Sequence, residues 1–169
     1  MDTNVGVAAN GRGQSPQASN DCVIACVRQL EGIKASGRIV LDEGHRILSE
    51  YQENLLSDGD PGDGDAFLKW VHDNQWNPQY CDRVRITPTD DGSSFVEFPD
   101  DPELAAFDRS DRKFVAAARA HPDSPPILNA VDTDWWIFRN ALGRNGVTVE
   151  FLCGRDVREM AERRGHRQP

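Results

Sequence analysis

The residues of this sequence with chemistry to offer are carboxylates placed at the ends or flanks of apolar segments. The run Ile127-Leu128-Asn129-Ala130-Val131, introduced by Pro125 and Pro126, ends in Asp132, and Asp134 follows after one residue. The pattern reads as a short buried strand that delivers acid to its C-terminal end, where open α/β sheets place their ligands. Asp134 is then expected to cap a helix through Trp135, Trp136, Ile137 and Phe138. On a helical wheel of about 100° per residue, Ile47, Leu48, Tyr51 and Leu55 share one arc and Glu50 sits on its flank. Asp111 projects between Phe114, Val115 and Ala118, toward a sheet where an unpaired carboxylate is expensive. Asp2, next to Met1, completes a set of four with Glu50, Asp111 and Asp132. The plainer alternatives are helix capping for Asp132 and Asp134, a favourable first-turn position for Asp111, and a solvated flank for Glu50. The aspartates from 58 to 65, 90 to 91 and 100 to 101 fit turns and are assigned no chemistry.

Carboxylates brought together repel: two charges about 4 Å apart cost about 4 kcal/mol at an effective dielectric of about 20. Four of them persist only with protons or a cation between them. Oxygen ligands with no cysteine or histidine nearby suit Mg²⁺ or Mn²⁺. Such sites hydrolyse phosphodiesters by activating water and stabilising the attacked phosphate.

Other classes are disfavoured by composition. The formal net charge of −9 over 169 residues argues against a nonspecific nucleic-acid-binding module, although not against a nuclease. No apolar run is long enough for a membrane span and no signal-peptide pattern opens the chain, so a cytoplasmic location is expected. Cys22, Cys26, Cys81 and Cys153 lack a CxxC pair and the histidines are scattered. Reduced structural thiols are therefore expected rather than zinc.

The elements that position these acids can be read from periodicity. Val23, Ile24, Val27, Leu30 and Ile33 predict a helix ending before Gly37, and Arg38 to Leu41 a short strand closed by Asp42. Asp42 caps a helix over 43–56, residues 57–65 form a loop, and a further helix ends near Asn74. Residues 82–98, with Val84 and Ile86 alternating before turn residues and Phe95-Val96-Glu97-Phe98, predict an inserted β-hairpin. A helix starts near Ser110, and Asn145-Gly146 turns into a strand at Val147 to Leu152. A polar helix follows from Arg155 to Arg164. Strands alternating with helices predict one three-layer α/β/α domain around a central, mostly parallel sheet, at residues 1–155 with a polar tail at 156–169.

The order of motifs resembles the PIN-domain ribonucleases. Asp2-Thr3-Asn4 is similar to that family's opening aspartate motif, and Leu41-Asp42-Glu43-Gly44 through Ser49-Glu50-Tyr51 to the helix carrying its glutamate. Ser110-Asp111-Arg112-Lys113-Phe114 resembles the helix of its third acid, and Ala130-Val131-Asp132-Thr133-Asp134-Trp135 its last motif. The resemblance implies a metal-dependent endoribonuclease of toxin or defence type, with Asp2, Glu50, Asp111 and Asp132 as catalytic metal ligands, Asp134 as an auxiliary metal ligand and Thr3 or Asn4 supporting Asp2. RNA as substrate, an antitoxin or defence-system partner protein, and a homodimer are further implications. In the family a buried strand precedes the first aspartate, whereas here only Met1 does, which the resemblance explains by a start upstream. Two other readings compete. Asp132-Thr133-Asp134 is similar to the nucleophile motif of haloacid-dehalogenase-like phosphatases, but Trp136 stands where a threonine belongs. A catalytically silent shell that binds a regulatory partner is the other.

Overall fold

The computed structural model describes residues 1–11, 18–55 and 60–165. Helix α1 (Thr3–Ala9) starts at Asp2, whose carboxylate accepts the Asn4 amide at 3.0 Å. Helix α2 (Asn20–Ser36) starts at Ser19, whose hydroxyl accepts from the Cys22 amide, and it buries Cys22, Cys26, Leu30 and Ile33. Strand β1 (Ile39–Asp42) ends in a fully buried aspartate. Asp42 accepts the Arg46 amide at 3.0 Å and the Ile47 amide at 2.8 Å, so it starts α3 (Arg46–Leu55), as expected of it, but three residues later than the helix over 43–56 read from the sequence. Helix α4 (Asp63–Asn74) begins inside the stretch read as a loop, because Asp65 reaches back to the Gly62 amide at 2.9 Å. Strand β2 (Cys81–Val84), a 3₁₀ turn at Pro102–Leu104, α5 (Arg112–Ala120), β3 (Ile127–Asn129), α6 (Thr133–Arg144), β4 (Val149–Phe151) and α7 (Gly154–Gly165) follow.

The strands form two separate parallel pairs, β1 with β2 and β3 with β4. Ile39 faces Cys81 in the first register and Ile127 faces Val149 in the second. This overturns the single central sheet of a three-layer α/β/α fold, and with it the assignment to the PIN family. The physical reason lies at the N-terminus. Met1 and Asp2 run beside β3, and one backbone bond, from the Asp2 amide to the Leu128 carbonyl at 3.0 Å, ties them to it. That is too little to make a ladder between β1 and β3. A small cavity of about 80 Å³ lies between the pairs instead, lined by Met1, Val40, Leu128 and α5 residues Phe114 and Ala118. The motifs behind the resemblance are local ones, acids that start helices after short strands, and such motifs recur wherever strand and helix alternate.

Two further expectations are corrected. Residues 82–98 do not form a hairpin: Cys81–Val84 pairs in parallel with β1, and antiparallel pairing is limited to one bridge between Pro88 and Phe95. The bridge is made by the Thr89 amide to the Ser94 carbonyl and the Val96 amide to the Thr87 carbonyl, and it extends no further because the Thr87 amide donates to the Glu97 carboxylate and the Ser94 amide to the Thr89 hydroxyl. The cysteines are also not all reduced thiols, because Cys22 and Cys153 form a disulfide, while Cys26 and Cys81 stay free and buried.

The core is largely aromatic around α6. Trp135 is fully buried and meets Phe107 edge-on at 5.0 Å between centroids. The Trp135–Trp136 pair is thus divided, with Trp136 half-buried against Phe151. Helix α7 packs on α6 and is tied to the start of α2 by the disulfide and by the Ser19 amide, which donates to Asp156 at 2.8 Å. No helix among the described residues is long and apolar enough to cross a membrane.

Candidate metal centre

Three of the expected acids meet. Asp2, Asp111 and Asp132 each bring a carboxylate oxygen to within 4.8 Å of the others. Each immediately precedes a helix, so the N-termini of α1, α5 and α6 converge on the cluster and their dipoles partly offset its charge. Asp2 and Asp132 use one oxygen as a cap: Asp132 accepts the Asp134 amide at 2.8 Å. Asp132, not Asp134, is therefore the residue that starts the tryptophan helix. Asp111 stands at the same position of α5 but makes no cap bond, which leaves its carboxylate directed to the cluster.

Burial and mutual repulsion hold protons on this site. Burial pushes Asp2 up to about 7, against the pull of the Asn4 amide, with the charges of Asp132 and Glu50 adding to the rise. Asp111 is pushed up to about 9 by burial and then by Asp2 and Asp132. Asp132 is raised by burial too, opposed by the Asp134 amide. A divalent cation would replace those protons and remove the repulsion.

Glu50 stands beside the triad. Its Oε1 accepts from the Thr3 hydroxyl at 2.5 Å and its other oxygen is ion-paired with Lys113. Its charge is still felt by Asp2 and Asp111. Asp134 points elsewhere and pairs with Arg164 at 2.9 Å, and the same guanidinium reaches the Thr133 hydroxyl. Asn129, which the sequence reading passed over, is fully buried and donates to Asp2 at 3.4 Å, while its Oδ1 has no hydrogen-bond partner. The signal for it was an amide inside an otherwise apolar strand. Asn4 accepts the Ala130 amide at 2.7 Å, and its Nδ2 is buried without a partner.

Two open clefts are lined by these acids, one by Asp132 and the other by Glu50. One of about 950 Å³ is lined by Asn4, Asp132, Arg155, Arg163 and Arg164. The other, of about 650 Å³, contains Arg46, Glu50, Arg109 and Lys113. Other basic side chains have structural work. Arg112 donates to the Ala105 and Phe107 carbonyls, Arg139 lies over Trp136, and Arg83 lies over Trp76 and donates to the Asp42 carbonyl.

Three carboxylates make an all-oxygen donor set, which fits Mg²⁺ or Mn²⁺. The arrangement is a candidate divalent-cation site. Comparisons with protein families, with curated proteins and with solved structures return no match for this chain.

Proposed function

We propose that this chain is a divalent-cation-dependent endoribonuclease that hydrolyses phosphodiester bonds of a single strand lying in the clefts beside the cluster. The observation that carries the reading is the convergence of Asp2, Asp111 and Asp132, the last of which lines the larger cleft. Asp2, Asp111 and Asp132 would hold Mg²⁺ or Mn²⁺, with Glu50 and Asp134 as neighbouring acids. The bound cation supplies Lewis acidity and lowers the pKa of water. The chain's own part is to orient and to neutralise. Asn129 fixes Asp2, and Thr3 and Lys113 hold Glu50 in place. Exposed Arg155 and Arg163 line the larger cleft, where they would meet the phosphates flanking the cut.

A second reading is a binding module that cuts nothing, and it is favoured by the Lys113 ammonium beside the cluster, which competes with a cation for negative charge. The two separate in one experiment. Labelled RNA and a matched single-stranded DNA are incubated with wild type and Asp132→Asn in Mg²⁺, Mn²⁺ or EDTA. The expected outcome is cation-dependent cutting of RNA by wild type only, with Asp132→Asn at least ~100-fold slower, the scale of losing a metal ligand. A folded wild type that binds Mn²⁺ yet cuts neither strand would leave the module reading standing.

A further inference from the structure

Away from the carboxylates, three cysteine sulfurs come together where α2 meets the turn between β4 and α7. Cys22 and Cys26 lie one turn apart on α2, and Cys153 immediately precedes α7. The three Sγ atoms lie within 4.8 Å of one another, and all three residues are buried. The Cys22–Cys153 disulfide accounts for two of them and leaves the Cys26 Sγ 3.9 Å from that of Cys153.

A free thiol beside a disulfide suggests exchange chemistry, but burial pushes the Cys26 thiol up to about 12, which makes it a poor attacking group near neutral pH. The spacing fits something else. Sulfurs bound to one tetrahedral zinc at about 2.3 Å are about 3.8 Å apart, close to the Cys26–Cys153 separation. The Cα atoms of Cys22 and Cys153 are 5.2 Å apart, so once the bond is reduced a side-chain rotation brings the third sulfur to the same spacing. Cys22 lies in the first turn of α2 and Cys153 immediately before α7, so two helix N-termini lie close to the site, and a bound cation would offset the burial that keeps the thiols protonated. There is an approach from solvent as well, since Cys22 and Cys153 both line a shallow cleft of about 250 Å³ that leaves room for a water as fourth ligand.

We propose that in the reduced chain Cys22, Cys26 and Cys153 form a trithiolate site for a thiophilic divalent cation of the zinc and cadmium class. The disulfide and the cation are alternative occupants. Conversion takes two electrons and two protons from a thiol reductant, which leaves as its own disulfide, and breaks the Cys22–Cys153 bond. Binding then releases the thiol protons to solvent as the three sulfur–cation bonds form. The site is independent of the carboxylate centre, because hard oxygen ligands and soft thiolates select different cations.

The test uses the full chain in a Cys81→Ser background, so that the fourth thiol cannot contribute, and Cd²⁺ as the probe. One equivalent added to the reduced protein without oxygen is expected to give the ultraviolet sulfur-to-metal charge-transfer absorption. Cys26→Ser should give about two-thirds of that intensity, as two thiolates would. The oxidised form of the same polypeptide, which needs no cysteine substitution at the site, should give none. Asp111→Asn and Asp132→Asn should keep the full band, which separates this site from the carboxylate reading. The proposal is overturned if the reduced, folded protein gives no band, or if Cys26→Ser matches the unsubstituted intensity.

Discussion

Asp2 and Asp111 hold their protons to about 7 and about 9 in the cation-free chain, whereas in the unfolded chain they release them near pH 4. Between those limits the folded state carries more protons than the unfolded one. Their contribution to stability is therefore complete below about pH 4 and is lost as pH rises through about 7 and then about 9. In EDTA the thermal midpoint is expected to fall from pH 5 to pH 9, and Asp111→Asn should flatten that slope. Mn²⁺ should stabilise the protein more as pH rises, since it competes with fewer protons. A wild-type midpoint in EDTA that does not move over this range would contradict the burial of the cluster. Asp111 and Asp132 were legible in the sequence because each sits where an apolar segment stops or turns inward, whereas Asp2, preceded only by Met1, was singled out by the resemblance that the fold overturns. Asn129 was not, since an amide in a three-residue strand has no pattern of its own. The pairing of Glu50 with Lys113 was hidden too, because it joins two helices far apart in the chain.

Among the elements, α3 depends on Asp42, whose two oxygens take the Arg46 and Ile47 amides in a fully buried position. Asp42→Ala should cost about 1–2 kcal/mol in urea unfolding, the upper range for loss of a cap, and Asp42→Asn should recover part of it. A midpoint unchanged by Asp42→Ala would mean that α3 starts without this cap. Helix α1 carries Asp2 and is held against α4 by a close approach at Gly64. A Cβ added there would lie 2.1 Å from the Gly6 carbonyl oxygen. Gly64→Ala should thus push the helices apart, cost about 1–3 kcal/mol as other overpacking does, and weaken Mn²⁺ binding by moving Asp2. Retained Mn²⁺ affinity in a destabilised Gly64→Ala would show that Asp2 is positioned by β3 instead. The existence of α3 and α5 could be read from local signals, an acid followed by apolar residues three and four apart, but α3 starts at Arg46 rather than 43. The missing hairpin and the start of α4 could not, because each turned on side-chain contacts, the Glu97 carboxylate and Thr89 hydroxyl taking strand amides in one and the reach of Asp65 in the other.

At the scale of the whole molecule, the disulfide closes a loop of 131 residues between α2 and the start of α7. By chain entropy alone such a bond stabilises by up to ~5 kcal/mol. Melts with and without a dithiol reductant should differ accordingly, and Cys153→Ser should melt alike in both. If reducing and non-reducing melts of the unsubstituted chain coincide, the bond is not formed in solution. The continuity of the sheet was beyond sequence reading for a different reason: which strands become neighbours depends on long-range pairing, and the short runs at 39–42 and 127–129 do not encode it. The division of the strands into two pairs bears on cooperativity. Main-chain pairing holds each half together internally, and among the described residues helices α1 and α5 and side chains such as Tyr51, whose hydroxyl donates to the Met1 carbonyl at 2.5 Å, run between them. The halves are then free to open as separate units, and amide hydrogens of β1 and β2 should exchange at a different rate from those of β3 and β4. Asp111 comes from the helix that covers both pairs, whereas Asp2 and Asp132 lie beside β3, so an ion gripped by all three acts as a clasp. Loaded with Mn²⁺, the two sets of amides should slow together and open as one.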